Sequence, residues 1–489
     1  MTTNVLVIDI GASSGRVILC SFDGEKIELN ELHRFENNAV LVNGTLFWDT
    51  FHLLHEIKQG IIKAQKICNF VSLGIDTWGV DFGLVSSENN LLETPVHYRD
   101  KRTKGMVEEV FKKINGKELY SKTGNQIMDI NTLFQLMSLK EKRPNLLKQT
   151  DKFLLMPDLF GYLLTGNGVA EVSIASTTQL LEPTTKQWNM DLIENLDLPT
   201  RLFPKIVKSG TVLGELSEEV CEELSMPPKK VISVAGHDTA CAVMAVPASE
   251  KDFIFVSCGT WSLFGTELDK PIITEKSSYY NLTNEVGYGD TTEFLSNIIG
   301  LWLIQETRRQ FNREGKNYSY GDMEKLALSS KPFAYFINPD YESFVAPGDI
   351  PVRIKEYCQA TGQGEPESDG EIIRCIYDSL AMKYNYTYQC ICDCTGKEYS
   401  NIHMVGGGTK DNFLCQLTAN ATGCDVLAGP IEATAFGNAA IQFITLGLIP
   451  NIEIARQIVK NSFTPVCYSP VEQELTKKHY GRFKMLTGI

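Results

Sequence analysis

Asp238 is the residue whose surroundings most invite chemistry. It follows Val231-Ile-Ser-Val-Ala235, a buried-strand pattern broken by Gly236, and precedes Thr239-Ala-Cys-Ala-Val-Met-Ala245, a helix pattern of small and apolar residues. A carboxylate at that junction stands just outside the carboxyl end of a strand, where open α/β sheets hold their ligands. Two roles fit it: a helix N-cap, for which Asp is favoured, and a base that takes a proton from a hydroxyl.

Three glycine-bearing turns also follow strands: Gly11-Ala-Ser-Ser-Gly15, Gly259-Thr-Trp-Ser262 and Gly406-Gly-Gly408. Such turns expose consecutive backbone N–H groups, which suit phosphate oxygens. Asp9 closes the first strand, either as a turn residue or as a carboxylate for Mg²⁺. Together the turns and the two aspartates suggest phosphate handled between two half-molecules. The sequence has no G-x-x-x-x-G-K-[ST], which excludes a P-loop. Gly406-Gly-Gly-Thr-Lys-Asp411 does not fit G-x-G-x-x-G, and no H-R-D or D-F-G set marks a protein kinase.

The elements that must position these groups follow from pattern. Asn4-Val-Leu-Val-Ile-Asp-Ile10 reads as a buried strand, with the turn at Gly11 and a second strand from Arg16. Asp23-Gly24 signals a hairpin to a third strand ending near Phe35. Thr50 is expected to cap a helix, and Val71 to Ile75 to form the next strand. Helices alternate with loops from Thr103 to Thr165, with Asn131 capping one of them, and little is assigned between Ala170 and Lys230. Phe253-Ile-Phe-Val-Ser257 repeats the opening motif, strand then glycine turn then strand, about half the chain after Gly11. This points either to two similar halves or to two coincidentally similar hairpins. A helix is expected from Asn297 to Arg309, and Ser368-Asp-Gly-Glu371 is a capping box for a long one. Ile402-His-Met-Val405 reads as a strand, Asp411 as a helix cap, and Pro430 as the first turn of an Ala- and Gly-rich helix.

A chain of 489 residues exceeds one core and suggests two to four domains. Hydrophobic residues are 43% and charged ones 22%, the profile of a globular protein. A net charge of −14 argues against nucleic-acid backbone binding. No basic n-region opens the chain and no apolar stretch is long enough to span a bilayer, so the expected location is the cytoplasm, away from membranes. Thirteen scattered cysteines read as reduced thiols, including the near-neighbours Cys358 and Cys375 and the cluster Cys390, Cys392 and Cys394.

Val7-Ile-Asp-Ile-Gly-Ala-Ser-Ser-Gly-Arg16, Gly236-His-Asp-Thr-Ala240, Gly259-Thr-Trp-Ser262 and Val405-Gly-Gly-Gly408 resemble the FGGY family of sugar kinases. That family sits in the superfamily of actin, hexokinase and the heat-shock ATPases. Ile75-Asp-Thr-Trp-Gly-Val-Asp-Phe82, Tyr98-Arg-Asp-Lys-Arg-Thr103, Leu154-Leu-Met-Pro-Asp158 and Asn297-Ile-Ile-Gly-Leu-Trp-Leu-Ile-Gln305 narrow the likeness to family members acting on a deoxyketose. The resemblance runs in order from Val7 to Phe483.

It implies an α/β fold of two ribonuclease-H-like, actin-like ATPase domains with an interdomain cleft. Residues 1–247 would form the sugar-binding domain and 248–489 the nucleotide-binding domain. It implies transfer of the ATP γ-phosphate to the primary hydroxyl of a ketose, with Mg²⁺. Asp238 would be the general base. Gly79, Gly236, His237, Asp238 and Asn297 would contact the sugar. Ala12, Ser13, Ser14, Gly15, Arg16, Thr260, Gln305 and Gly407 would contact ATP, and Asp9 would hold the metal, through water. The expected partners are the sugar and ATP alone, in a monomer or homodimer. Trp78, Asp81 and Asp100 stand near these motifs, with packing or loop roles as the alternative. The competing reading is a non-catalytic ATP-dependent clamp of the superfamily; no helix-turn-helix or substrate-binding tail marks one.

Overall fold

The apolar run that opens the chain becomes the strand Thr3–Ile10, buried from Val5 onward. Continuous Val, Leu and Ile suit a strand covered on both faces. It pairs antiparallel with Ser14–Phe22 and parallel with Ser72–Thr77. The sheet it centres runs Thr211–Glu215, Lys230–Ser233, Ser72–Thr77, Thr3–Ile10, Ser14–Phe22, Ile27–Glu36. These strands belong to the first of two compact units in the computed structural model, which describes residues 2–489.

Glycines let helices pack closely here, one against the sheet and one against another helix. A Cβ on Gly60, in helix Thr50–Ile67, would come 2.3 Å from Val17. One on Gly437, in helix Ala433–Thr445, would come 1.8 Å from the carbonyl oxygen of Cys241 in helix Asp238–Met244. A second apolar core in the same unit gathers side chains from Phe82 to Leu202, with Val286 from later in the chain.

The second unit repeats the pattern. Ile254–Cys258 pairs antiparallel with Trp261–Leu268 and parallel with Asn401–Val405. Asn401–Val405 pairs parallel with Asp425–Ala428, which pairs antiparallel with Val466–Tyr468. The first sheet shows the same succession from Ser14–Phe22 to Thr211–Glu215. The hairpins at Gly11 and Gly259 thus occupy equivalent places in separate sheets. The long helix Asp369–Thr395 opens on the Ser368/Glu371 capping box.

The chain divides between Lys251 and Asp252, and segments 267–294 and 432–464 group with the first unit. This partition differs from two contiguous halves, 1–247 and 248–489, by residues 248–251 and by those two segments. The strand Trp261–Leu268 carries the chain out of the second unit and Thr292–Ile299 carries it back.

Local expectations need four corrections. Asn297 lies on the strand Thr292–Ile299, and the helix begins at Trp302, because Gly300 ends a β-branched run. Helix Thr50–Ile67 is capped by Asp49, whose carboxylate accepts from the His52 N–H at 3.1 Å. Pro430 precedes its helix, which starts at Ala433 after Glu432. The strand Thr150–Leu155 interrupts the helical stretch before Thr165.

Candidate active site

The glycine that breaks the strand after Ala235 is clamped from below. Glu171 accepts from the Gly236 N–H at 2.8 Å. It also accepts from the Ser173 N–H and hydroxyl at 3.0 and 2.5 Å, the Ile174 N–H at 3.1 Å and the Ser209 hydroxyl at 2.5 Å. Five donors satisfy a carboxylate that is 1% exposed. The Ser173 hydroxyl in turn accepts from the His237 N–H at 3.2 Å, and the Thr77 N–H donates to Gly236 O at 2.9 Å. A Cβ on Gly236 would sit 3.0 Å from Pro157 and 3.1 Å from Glu171, so any side chain here would push both neighbours back by a few tenths of an ångström.

Clamping this turn fixes the two residues after it. His237, not Asp238, is the N-cap of helix Asp238–Met244, and it makes no side-chain capping bond. Asp238 is the first helical residue, accepting from the Thr239 hydroxyl at 3.3 Å. Its side chain is 31% exposed, which leaves the carboxylate accessible. Burial pushes it up to about 6, with the charge of Asp9 adding and that of His237 opposing.

His237 is 7% exposed and lies between two carboxylates. Its Nε2 is 3.5 Å from Asp238 Oδ1, and its Nδ1 is 3.2 Å from Glu285 Oε2. Burial alone would lower its basicity. The hydrogen bond and charge of Glu285, followed by the charges of Asp238 and Glu293, reverse that and push it up to about 9. The ring is therefore held toward the imidazolium, with a proton on each nitrogen.

A second constellation forms at the first strand. In register, Asp9 stands opposite Arg16 on one side and Asp76 on the other. Arg16 ion-pairs with Asp9 through one amino group and with Glu432 through the other. Asp76 is fully buried, and its Oδ2 accepts from Asn438 Nδ2 at 2.6 Å. Its Oδ1 has no hydrogen-bond partner among the described residues. Burial, then the charge of Asp9, raises Asp76 well above the usual carboxylate range, and Asp238 contributes too. Even with Asp76 protonated, Asp9, Asp238 and Glu432 outnumber the single guanidinium beside them. Such an excess of negative charge, with one buried oxygen unsatisfied, fits a hydrated divalent cation. Among the described residues no group of three or more His, Cys, Asp and Glu is arranged to hold a metal. Mg²⁺ keeps most of its waters and needs only one or two carboxylates.

The loop from Gly11 to Gly15 is built to stay open. The Gly11 N–H donates to Ser14 O at 3.0 Å, and Asn37 donates to Gly11 O at 2.9 Å and to Ser13 O at 3.2 Å. A Cβ on Gly15 would fall 2.2 Å from the Phe35 ring. Ala12, Ser13 and Ser14 are thus presented by a braced turn beside Arg16.

Gly79 lies against Thr177, whose side chain would be 3.1 Å from an added Cβ and whose hydroxyl accepts from the Val80 N–H at 3.1 Å. Asp81 is fully engaged: it accepts from Trp48 Nε1 at 2.6 Å, Trp78 Nε1 at 3.1 Å, the Tyr98 N–H at 3.1 Å and Gln135 Nε2 at 3.0 Å. Trp78 and Trp48 stand 4.1 Å apart, both buried. Asp100 caps the turn at Lys101–Thr103 and accepts from the Leu46 N–H at 2.8 Å. Trp78 and Asp81 therefore brace the loop that carries Gly79, while Asp100 holds the Lys101–Thr103 turn against Leu46.

In the second unit, the Thr260 hydroxyl donates to Gln305 Oε1 at 3.5 Å, and Leu301 and Trp302 donate backbone bonds to Gly259 O and Thr260 O at 3.2 and 3.1 Å. Gly406 adopts φ +89° and lies so close to Cys258 that an added Cβ would be 3.0 Å from its carbonyl oxygen. Gly407 next to it faces open space. Thr260 and Gln305 are therefore neighbours, and Asn297 is part-buried on the strand of this unit that precedes Gly300.

Sequence reasoning overlooked Glu171, Asn37, Glu285, Glu293, Glu432 and Asn438. None carries a local signal, since each takes its surroundings from partners distant in the chain.

Comparison with known proteins places this geometry. Residues 4–245 match the N-terminal domain and 254–446 the C-terminal domain of the FGGY family of carbohydrate kinases. The chain belongs to the FGGY family of carbohydrate kinases: it is a carbohydrate kinase, of a family that uses ATP. It is 40% identical to a rhamnulokinase of Bacteroides thetaiotaomicron over 485 residues, 99% of both chains. It is 41% identical to a rhamnulokinase of Oceanobacillus iheyensis, covering 96% of this chain and 99% of that one. The fold matches a gluconate kinase from Lactobacillus acidophilus with a TM-score of 0.81 at 16% identity, covering 99% of this chain and 97% of the other. Among the described residues no helix is long and apolar enough to cross a membrane.

Proposed function

We propose that the chain phosphorylates L-rhamnulose at its primary 1-hydroxyl, giving L-rhamnulose 1-phosphate and ADP, in the cytoplasmic breakdown of L-rhamnose. The observation that carries the choice of sugar is the 40% identity to a rhamnulokinase over 99% of both chains.

In this reading Asp238 accepts the proton of the 1-hydroxyl while that oxygen bonds to the γ-phosphorus, and the bond from the γ-phosphorus to the β–γ bridging oxygen breaks to release ADP. A pKa near 6 leaves the carboxylate ionised at pH 7 yet basic enough to take a late proton. His237, Gly79, Gly236 and Asn297 contact the sugar. The braced turn Ala12–Arg16 cradles phosphate oxygens with backbone N–H groups, and Thr260, Gln305 and Gly407 contact the rest of the nucleotide. Arg16, held by Asp9 and Glu432, lends positive charge where negative charge shifts during transfer. Asp9 would hold Mg²⁺ through water, and the ion would neutralise the phosphates.

The test is ADP release measured over L-rhamnulose, L-fuculose, L-ribulose and D-xylulose. The expected result is the highest kcat/KM for L-rhamnulose. A higher value for L-fuculose or a pentulose would reassign the sugar, and no ADP release with any ketose would refute catalysis.

A further inference from the structure

The segment 267–294 brings two glutamates to His237 from far along the chain. Glu285 is 4% exposed on strand Thr283–Val286, and Glu293 is fully buried on strand Thr292–Ile299. A buried carboxylate is costly unless it is paired. Glu285 has its pairing in the His237 Nδ1 at 3.2 Å. Its position is fixed from both sides: the Asn284 N–H donates to Gly124 O at 2.9 Å, and the Val286 N–H donates to the Ser176 hydroxyl at 2.9 Å. Neither carboxylate oxygen of Glu293 has a hydrogen-bond partner among the described residues, and burial holds that group well above the usual range.

At 3.5 Å the contact from His237 Nε2 to Asp238 Oδ1 is long for a hydrogen bond. With Nδ1 ion-paired to Glu285, the Nε2–H remains available to an oxygen placed beside Asp238. We propose that Glu285 is a positioning residue for sugar phosphorylation, holding His237 as an imidazolium whose Nε2–H donates to a sugar oxygen next to the hydroxyl that Asp238 deprotonates. This rests on the reading of Asp238 as base and His237 as a sugar contact.

The charges around the ring are few and come from separate elements. Asp238 faces it from its own turn, Glu285 and Glu293 face it from the two strands of the 267–294 segment, and Glu171 lies beneath Gly236. Asp9 and Asp76 lie beyond Asp238. Of these, only Glu285 contacts Nδ1, so it is the one that sets which nitrogens carry protons.

Histidine side-chain NMR of the full chain tests this directly, since there are seven histidines and His237→Gln identifies the signal. In Glu285→Gln the titration midpoint of His237 should fall by about one unit or more. The same variant should lose about tenfold or more in kcat/KM for the ketose, with the KM for ATP changed by less than about twofold. Glu285→Asp keeps the charge but withdraws it by one methylene, and its midpoint should lie between the other two. It serves equally if the Gln variant does not fold. An unmoved His237 midpoint in either variant overturns the proposal. So does an equal loss toward ketose and ATP accompanied by a lower melting temperature, the pattern of a purely structural residue. If no ketose is phosphorylated, the sugar assignment fails by itself, and the titration still decides whether Glu285 governs the ring.

Discussion

Asp238→Asn separates chemistry from architecture at one position. Because His237 holds the N-cap place, the carboxylate of Asp238 does no capping that Asn would have to replace. The group is raised from the ordinary Asp range to about 6 in the folded chain. A shift of about two units corresponds to roughly 3 kcal/mol. The side chain is 31% exposed, so solvent screening reduces this to about 1–2 kcal/mol. The sign follows from the direction. The folded state binds this proton more tightly than the unfolded state, so the ionised carboxylate weakens the fold above about pH 6. That weakening disappears as pH falls below the range of a free Asp. The Asn variant should therefore melt about 1–3 °C higher at pH 8, and no higher at pH 4. Its kcat with L-rhamnulose should fall on the order of a hundredfold or more, because an amide cannot accept the proton. The native enzyme should lose about tenfold in kcat/KM per pH unit below 6. Coupled ADP release and thermal melts across pH provide both readouts. A variant keeping more than about a tenth of native kcat, or one less stable than native at pH 8, would refute the reasoning.

Glu171→Gln removes a carboxylate that satisfies five donors around Gly236. It should cost about 2–4 kcal/mol in chemical denaturation and lower turnover with it, whereas unchanged stability would mean that the clamp is dispensable. Gly437→Ala places a methyl 1.8 Å from the carbonyl oxygen of Cys241; the expected loss is about 3 kcal/mol or more, read as a fall in melting temperature. Asp9→Asn should lower kcat by about tenfold or more while the Kd for ATP, measured calorimetrically without sugar, moves only a few-fold. Loss of nucleotide affinity with normal turnover of the residual complex would reverse that role.

The parts of the fold that could be read in the sequence are those whose pattern is local. Val5 to Ile10 announce a strand buried on both faces, and the same signal with its glycine turn reappears at Ile254, which revealed the repeat. The capping box at Ser368 and the cap at Asp411 were equally plain. Asn-Ile-Ile-Gly-Leu-Trp-Leu-Ile shows neither alternation nor a clear helical stripe, so its pattern does not reveal that Asn297 lies on a strand. The junction at Asp238 was legible to within one residue, and that residue separates a cap from an uncommitted carboxylate. Glu171 and Glu285 were not legible. A glutamate in Ala-Glu-Val or Asn-Glu-Val looks like any surface residue, and its burial depends on Gly236 in one case and His237 in the other. By sequence Asp81 is open between two roles, and only the meeting of Trp48, Trp78, Tyr98 and Gln135 occupies its oxygens.

Helix Ala433–Thr445 has a bearing on how the chain is made. Asn438 holds Asp76, while Gln442 donates to Leu6 O at 3.0 Å and accepts from the Ser72 hydroxyl at 2.7 Å. These partners lie on strands that leave the ribosome well before the helix does. At about 5–20 residues per second, the opening sheet waits roughly ten to forty seconds for its cover. During that interval the backs of its strands, and the groove into which Gly437 later fits, are open to solvent. A ribosome stalled before Glu432 would therefore carry an opening sheet that protease attacks and chaperones hold, and truncation after Lys251 would yield the same unfinished surface permanently.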